Sequence, residues 1–241
     1  MEFSLVVPVY NEAGNICPLL NEIRRALDGM GEYEVLFVDD GSTDDTIAEL
    51  TAARNNGFTN LRVQHHQCRC GQSAAILTGV RAARAAWIVT LDGDGQNDPA
   101  DIPRLLALAR GEDRAPNLQL ITGLHLHRQD TALKRLSSKV ANAVRSALLK
   151  DGTPDTGCGL KLFSRRAFLE LPQFDHMHRF LPALFRHNGG AIEMIEVSHR
   201  PRKRGTSKYG VHNRLWVGIV DLLGVMWLLR RTQRPECVEV C

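Results

Sequence analysis

Short apolar runs alternate with longer amphipathic stretches over the first 110 residues of the chain. The runs are rich in Val, Ile and Leu and have the length of buried strands, whereas the stretches between them repeat apolar residues at helical spacing. This alternation predicts a mostly parallel sheet with helices on both faces, an α/β fold. The predicted strands are Phe3–Val9, Tyr33–Val38, Leu61–His65 and Trp87–Leu91, and the predicted helices are 16–27, Thr43–Arg54, Gln72–Ala85 and 98–110.

The second half of the chain is less regular. The same patterns predict strands at Gln119–Thr122 and Ala191–Val197, a helix at Ala132–Leu149 and a loop at 155–159. No internal repeat or low-complexity segment interrupts the chain. We therefore expect one domain over residues 1–210, followed by a C-terminal helix and tail over residues 211–241.

Polar side chains follow three of the predicted strands, at residues 10–12, 39–42 and 92–96. Because the carboxyl ends of parallel strands meet at one edge of a sheet, where such sheets bind ligands, we expect these clusters to share a site. Asp92, Asp94 and Gln96 offer the oxygen ligands that hard cations prefer, and a cation there would hold phosphates. The alternative for each cluster is a plain turn or a helix cap, since Asp-Gly-Asp-Gly is a good turn sequence.

Composition indicates an ordinary globular protein, with 44% hydrophobic and 24% charged residues. The net charge of +3 is too small to imply nucleic-acid binding. Basic residues nevertheless cluster at Arg200–Arg204, and Lys208 follows. This cluster is either a solvated face or, because Gly205 and Gly210 flank it, a mobile loop that closes over phosphates.

The six cysteines form no CxxC pair and no regular disulfide spacing, which is typical of free thiols in a reducing compartment. The amino terminus leads directly into a predicted strand, without a basic segment or a cleavage site. We therefore expect no secretory signal and a cytoplasmic location.

The segment Leu215–Leu229 is strongly apolar. Its 15 residues fall short of the ~20 needed to span a bilayer, and Asp221 lies near its centre. A helical wheel separates an apolar face from a face with Arg214 and Asp221. With two tryptophans and the following Arg230 and Arg231, the pattern favours an amphipathic helix at a membrane interface. The alternative is an ordinary core or dimer helix.

Six motifs occur in order along the chain: Val6–Glu12, Val38–Ser42, Gly71–Ala75, Leu91–Gln96, Asp155–Gly159 and Arg202–Tyr209. Together they resemble those of the inverting family 2 glycosyltransferases, which have the Rossmann-like GT-A fold. The resemblance covers residues 3–210. Its last two motifs are similar to those of the dolichol-phosphate mannosyltransferase-like branch, which glycosylates polyprenyl phosphates.

The resemblance also implies roles for individual residues. A first group would bind the nucleotide sugar: Pro8, Tyr10, Glu12, Asp40, Gln72 and Asp92. A second group would hold Mg²⁺ or Mn²⁺ together with the diphosphate: Asp92, Asp94 and Gln96. A third group would bind the acceptor or donor phosphate: Arg128, Arg202, Ser207 and Lys208. The implied catalytic set is Asp94, Asp155, Arg128 and Arg202.

One position departs from the family pattern. Many relatives carry Gly-x-Arg after the strand at Gln119–Thr122, whereas this chain has Gly123-Leu124-His125 and an arginine at position 128. A histidine carries only partial charge near neutral pH, so acceptor-phosphate binding at His125 is open.

The expected reaction is transfer of a sugar from a GDP- or UDP-sugar to a polyprenyl phosphate, with inversion, by a hexosyltransferase of cell envelope biogenesis at the cytoplasmic membrane face. A phosphate acceptor is largely anionic, with a second pKa near about 6, so positioning by arginines suffices. A hydroxyl acceptor would instead need a base such as Asp155.

Two other functions stay open from the sequence. The acceptor could be a hydroxyl of a glycolipid or polysaccharide, or the chain could be a non-catalytic subunit of a membrane complex. The membrane contact could come from the C-terminal helix or from a small membrane-anchoring subunit.

Overall fold

A computed structural model describes residues 1–125, 142, 145–201 and 211–232, except for the side chains of 211–215. The predicted helix at Ala132–Leu149 lies mostly outside the described residues, and within it residues 145–149 are helical.

Seven strands of the described chain form one mixed sheet at the centre of the protein. They are β1 (Phe3–Val9), β2 (Tyr33–Asp39), β3 (Leu61–His65), β4 (Trp87–Thr90), β5 (Leu118–Leu124), β6 (Lys161–Ser164) and β7 (Ala191–Glu196). Their order in the sheet is β3-β2-β1-β4-β6-β5-β7. All neighbours are parallel except that β6 runs antiparallel to both β4 and β5. The predicted mostly parallel sheet is confirmed.

Helices cover both faces of this sheet. Those that lie entirely within the described residues are α1 (Ile16–Ala26), α2 (Thr46–Asn55), α3 (Gln72–Ala82), α4 (Ile102–Arg110), α5 (Arg165–Leu169), α6 (Leu181–His187) and α7 (Val211–Arg231), with 3₁₀ turns at Pro99–Asp101 and Met177–Arg179. One apolar core contains residues of α1, α2 and α4. A second core contains residues of α3, α5, α6 and α7. Leu5 and Val7 of β1 lie in the first core and Val6 in the second, because successive side chains of a strand point to opposite faces.

The start of α2 shows where local pattern and tertiary contact differ. The sequence predicts a helix from Thr43, but α2 begins at Thr46. Ser42 and Thr43 instead bond to Asn11 of the loop after β1: the Asn11 N–H donates to Ser42 Oγ, and the Thr43 N–H donates to Asn11 Oδ1, both at 2.8 Å. These residues therefore tie two strand ends together at the edge of the sheet.

Strand β6 and the short helices α5 and α6 are absent from the sequence prediction. Each spans only four to seven residues, too few to show a period of two or of 3.6 clearly. The insertion of β6 between β4 and β5 brings Lys161 next to Thr90 at the end of β4.

The C-terminal helix α7 is apolar on two sides. Val225 is buried, and Leu222, Met226 and Leu229 pack beside it on the second core. Apolar side chains on the other side are 59–71% exposed: Trp216, Val220, Leu223 and Trp227. The residues predicted to lie at a membrane thus cover the core in part, and a second apolar surface faces solvent.

Asp221 of α7 faces the protein. Its Oδ2 lies 2.9 Å from Nδ1 of His176, in the segment that leads into α6. Among the helices that the structure describes, none combines the length and the apolar character needed to cross a bilayer.

Candidate active site

A cleft of 430 Å³ opens at the carboxyl ends of β1 and β4. Pro8 of β1 and Asp92, which follows β4, line it. Gln72 lines it from the first residue of α3, and Lys161 from β6. The cleft therefore lies where a parallel sheet is expected to bind its ligand.

Asp92 is half-buried in this cleft between two amide side chains. Nε2 of Gln72 donates to Asp92 Oδ1 at 2.9 Å, and Nδ2 of Asn97 donates to Asp92 Oδ2 at 3.4 Å. Burial, followed by the negative charge of Asp94, raises the pKa of Asp92 to about 6. Two like charges held close together in a cleft favour a cation between them.

The turn after Asp92 supplies two further oxygen-bearing side chains. Asp94 Oδ1 accepts the N–H of Gln96 at 3.1 Å. Gln96 lines the cleft, and its Nε2 lies 3.5 Å from the carbonyl oxygen of Arg200, so its amide oxygen is the atom that could ligate. Two carboxylates and one amide oxygen form a donor set that fits a hard divalent cation such as Mg²⁺ or Mn²⁺.

Lys161 is a buried cation in the cleft that the sequence prediction missed. Its ammonium group donates to the carbonyl oxygens of Cys158 and Thr156. Burial lowers its pKa, while the charge of Asp92 acts in the opposite direction. The sequence signal is a lysine inside the apolar run 160–163, where a charged residue has to find polar partners.

The loop at 155–159 packs directly against Asp92. The carbonyl oxygen of Gly159 accepts a hydrogen bond from Thr90 Oγ1 at 2.8 Å. A Cβ at position 159 would overlap the carboxyl group of Asp92. Any side chain at position 159 would therefore have to displace the Asp92 carboxyl group, and the loop forms the floor of the cleft beside the acidic turn.

Asp40 organises the loop that precedes α3. Its carboxylate accepts the N–H groups of Cys70 and Gly71, both at 2.8 Å, and Oδ1 lies 2.8 Å from Nδ1 of His66. Gly41 has a φ of +74°, and a Cβ there would approach the backbone of residue 68 to 2.7 Å. Asp40 thus fixes the entry to α3, whose first residue reaches Asp92.

The loop after β1 contributes Tyr10 and Glu12. The Arg69 guanidinium lies 4.5 Å from the centroid of the Tyr10 ring, a cation–π contact. Glu12 Oε2 accepts a hydrogen bond from Asn15 Nδ2 at 2.7 Å, and the Glu12 N–H donates to Thr46 Oγ1 at 2.9 Å. Both residues therefore lie at the same edge of the sheet as Asp40, as their positions in the sequence predict.

His125, which follows β5, forms a buried pair with Asp155. His125 Nδ1 lies 3.0 Å from Asp155 Oδ2, and Nε2 lies 3.4 Å from Oδ1 of Asn97. Burial disfavours the charged ring, but the contacts with Asp155 and with Cys158, a buried free thiol, outweigh it and raise the pKa of His125 to about 9. His125 is therefore a cation at neutral pH whose charge is matched by Asp155.

Residues 4–171 match the family described as glycosyl transferase family 2. The chain belongs to this family. The family assignment confirms the resemblance that the six motifs carry, and the protein is a glycosyltransferase.

Two relatives illustrate the similarity of this glycosyltransferase to other sequences. It is 35% identical over 240 residues to the dodecaprenyl-phosphate galacturonate synthase of Rhizobium johnstonii, covering 98% of this chain and 69% of the relative. It is 34% identical over 212 residues to the undecaprenyl-phosphate 4-deoxy-4-formamido-L-arabinose transferase of Shewanella sediminis, covering 87% of this chain and 62% of the relative. The chain thus spans about two thirds of the length of these relatives.

The fold of the glycosyltransferase is similar to a solved structure of glucosyl-3-phosphoglycerate synthase from Mycobacterium tuberculosis in complex with Mn²⁺, uridine diphosphate and glucosyl-3-phosphoglycerate. The TM-score is 0.71 at 20% identity, and the match covers 95% of this chain and 79% of that one. Similarity at this identity confirms the GT-A fold but does not identify the substrate or the metal.

The residues that the resemblance implies for phosphate binding lie outside the described residues of the glycosyltransferase: Arg128, Arg202, Ser207 and Lys208. Arg200 begins the same basic run. It is paired with Glu22, at 2.8 Å, and with Asp98. The charge of Arg200 is therefore matched by two carboxylates, and this residue anchors the start of the run to α1 and to the turn before α4.

Proposed function

We propose that this family 2 glycosyltransferase moves a sugar from a nucleotide-sugar donor to a polyprenyl phosphate, with inversion at the anomeric carbon. The observation that carries the proposal is the acidic turn after β4, in which Asp92 lines the cleft and the nearby charge of Asp94 helps to raise the pKa of Asp92. The names of two similar relatives supply the acceptor class, since both act on a polyprenyl phosphate.

The donor side of the proposal rests on the acidic turn and the loops around it. Asp92, Asp94 and Gln96 would hold Mg²⁺ or Mn²⁺, and the cation when bound would offset the negative charge that grows on the leaving diphosphate. The nucleoside would lie at the sheet edge formed by the remaining residues of the donor set: Pro8, Tyr10, Glu12, Asp40 and Gln72. A GDP- or UDP-sugar would fit this arrangement.

The pair of His125 and Asp155 favours a phosphate over a hydroxyl as acceptor. Both carboxylate oxygens of Asp155 are already engaged within the protein, Oδ2 with His125 Nδ1 at 3.0 Å and Oδ1 with the N–H of Gly157 at 2.9 Å, which leaves Asp155 poorly placed to act as a general base. A hydroxyl acceptor needs such a base, whereas a phosphate is already anionic and needs mainly positioning. Lys161 places positive charge at the cleft.

A direct test begins with a screen of GDP- and UDP-sugars for thermal stabilisation of the protein in the presence of Mn²⁺. The stabilising donor is then incubated with undecaprenyl phosphate, and we expect a labelled lipid whose sugar is released by mild acid, because a sugar–phosphate linkage is acid-labile. An acid-stable lipid product would show transfer to a hydroxyl and overturn the proposed acceptor. No donor binding at all would favour a non-catalytic subunit.

Donor binding is expected to depend on pH through Asp92. Its pKa of about 6 means that the carboxyl is protonated, and a poor cation ligand, below that value. Mn²⁺-dependent affinity for the nucleotide sugar should therefore be constant at neutral pH and fall as pH decreases through about 6. Calorimetry from about pH 5 to about pH 8 measures this, and the nucleotide sugar is suitable because its diphosphate does not titrate in this range. Constant affinity across the range would argue against Asp92 as a ligand.

We propose further that the glycosyltransferase is peripheral at the cytoplasmic face of the membrane and that α7 makes the contact. Its solvent-facing side carries Trp216, Leu223 and Trp227, and two arginines end the helix. Exposed tryptophans next to basic residues are typical of segments that lie at a membrane interface. A polyprenyl-phosphate acceptor would be held in the same membrane.

A further inference from the structure

A continuous chain of polar contacts runs beneath the cleft, from the loop after residue 150 to the start of α3. It links Asp155 to His125 at 3.0 Å, His125 to Asn97 at 3.4 Å, Asn97 to Asp92 at 3.4 Å, and Asp92 to Gln72 at 2.9 Å. These contacts thus connect Asp155, which the resemblance implies in catalysis, to the acidic turn of the donor site.

The chemistry of the two ends decides the direction of every hydrogen bond between them. An ionised carboxylate only accepts, so the Asn97 amide presents its NH₂ group to Asp92 and its oxygen to His125. Nε2 of His125 then has to donate to that oxygen, and Nδ1 has to donate to Asp155. Both ring nitrogens carry hydrogen, in agreement with the raised pKa of His125.

We propose that His125 is a positioning residue for the donor site: through its hydrogen bond to the oxygen of Asn97 it fixes the orientation of that amide, and the amide holds the Asp92 carboxylate in place. The inference rests on the proposed function and deepens it, because it concerns the same metal and diphosphate site. Asp155 serves as the anchor of the imidazolium ring.

Buried neighbours surround this series of polar contacts. The side chain of His125 is 3% exposed, and Asn97 is buried. The ring of His199 packs against that of His125 with centroids 4.5 Å apart, and Cys158 Sγ lies 3.8 Å from Asn97 Oδ1. A preorganised carboxylate avoids the cost of ordering it when ligand binds.

The same geometry argues against direct phosphate binding by His125. Its two nitrogens already donate within the protein, and little of its side chain is exposed. A histidine at the position where many relatives carry arginine therefore has a different task here: it acts on the donor through Asn97.

The test compares three variants of the full chain by calorimetric titration of Mn²⁺ in the presence of the nucleotide sugar found in the donor screen. His125→Leu removes both hydrogen bonds, and we expect Mn²⁺ affinity to fall by about 10- to 100-fold, the usual effect of losing a group that orients a ligand. His125→Gln keeps an N–H donor for Asn97 and is expected to restore most of the affinity. His187→Leu, on the exposed end of α6, is the matched control and should bind like the native protein.

A double-variant cycle with Asn97→Leu tests whether the effect passes through the amide. If it does, the double variant His125→Leu/Asn97→Leu will bind Mn²⁺ no more weakly than Asn97→Leu alone, because both substitutions interrupt the same series of hydrogen bonds. The inference would be overturned if the fold-losses in Mn²⁺ affinity of the two single variants multiplied in the double variant, or if His125→Leu bound Mn²⁺ with native affinity. Since a buried position is changed, thermal melting checks folding, and failure of His125→Gln to restore affinity in a folded protein would also overturn it.

The outcomes separate this inference from the proposed function. If the native protein binds no nucleotide sugar in the presence of Mn²⁺, both the proposed function and the inference about His125 are wrong. If the native protein and the His125→Leu variant both bind the nucleotide sugar and transfer its sugar equally well, only the role of His125 is wrong.

Discussion

Asp94→Asn is expected to reduce metal-dependent sugar transfer by roughly 10²- to 10³-fold, the scale of losing one preorganised electrostatic contact to a developing charge. The substitution removes a negative charge but keeps an oxygen that can accept the N–H of Gln96, so the turn is preserved. It should also lower the pKa of Asp92, because the charge of Asp94 is one cause of the raised value. The measurement is kcat/KM for the donor at saturating acceptor, with Mn²⁺ titrated at several pH values.

Asp113→Asn supplies the control for the change in charge. Asp113 is exposed in the connection between α4 and β5, away from the cleft, and its substitution should leave kcat/KM unchanged. Native turnover in Asp94→Asn would contradict the assignment of the acidic turn. A midpoint of the pH dependence that does not move would contradict the electrostatic coupling of the two carboxylates.

The second large effect concerns the membrane. Replacing Trp216, Leu223 and Trp227 together by serine is expected to lower binding to liposomes of anionic lipid by at least about 100-fold, because burial of each large apolar side chain contributes ~1.5–3 kcal/mol. All three side chains are 59–71% exposed, so the fold should keep its stability. Co-sedimentation with liposomes measures binding, and thermal melting measures stability.

Substitution is a cleaner test than removal of α7. Val225 on the opposite side of the helix is buried in the second core, and deleting the helix would expose that core to solvent. Met194→Ser, at a 43% exposed apolar residue of β7, controls for a general loss of exposed apolar surface. Native liposome binding by the triple variant would assign the membrane contact to another part of the chain or to an anchoring subunit.

Local pattern was sufficient for the parallel half of the sheet. The sequence predicts β1 and β3 with their observed ends. Strand β1 is almost fully buried and forms a nearly continuous apolar segment, whereas the edge strand β3 alternates apolar and polar residues. The local pattern was insufficient for β6, a four-residue strand that inserts between β4 and β5 in the antiparallel direction. Its place depends on pairing with distant strands, which no local period encodes.

The amino-acid sequence by itself determined that Asp40, Asp92 and Asp94 meet at one edge of the sheet, because each follows a strand of a parallel set and such strands end together. Only the tertiary structure decided what surrounds them. Lys161 reaches the cleft through the inserted strand β6, and His125 meets Asp155 and Asn97 across separations of 30 and 28 residues. The physical reason is that burial and the pairing of charges depend on contacts between distant segments, which exist only once the chain has folded.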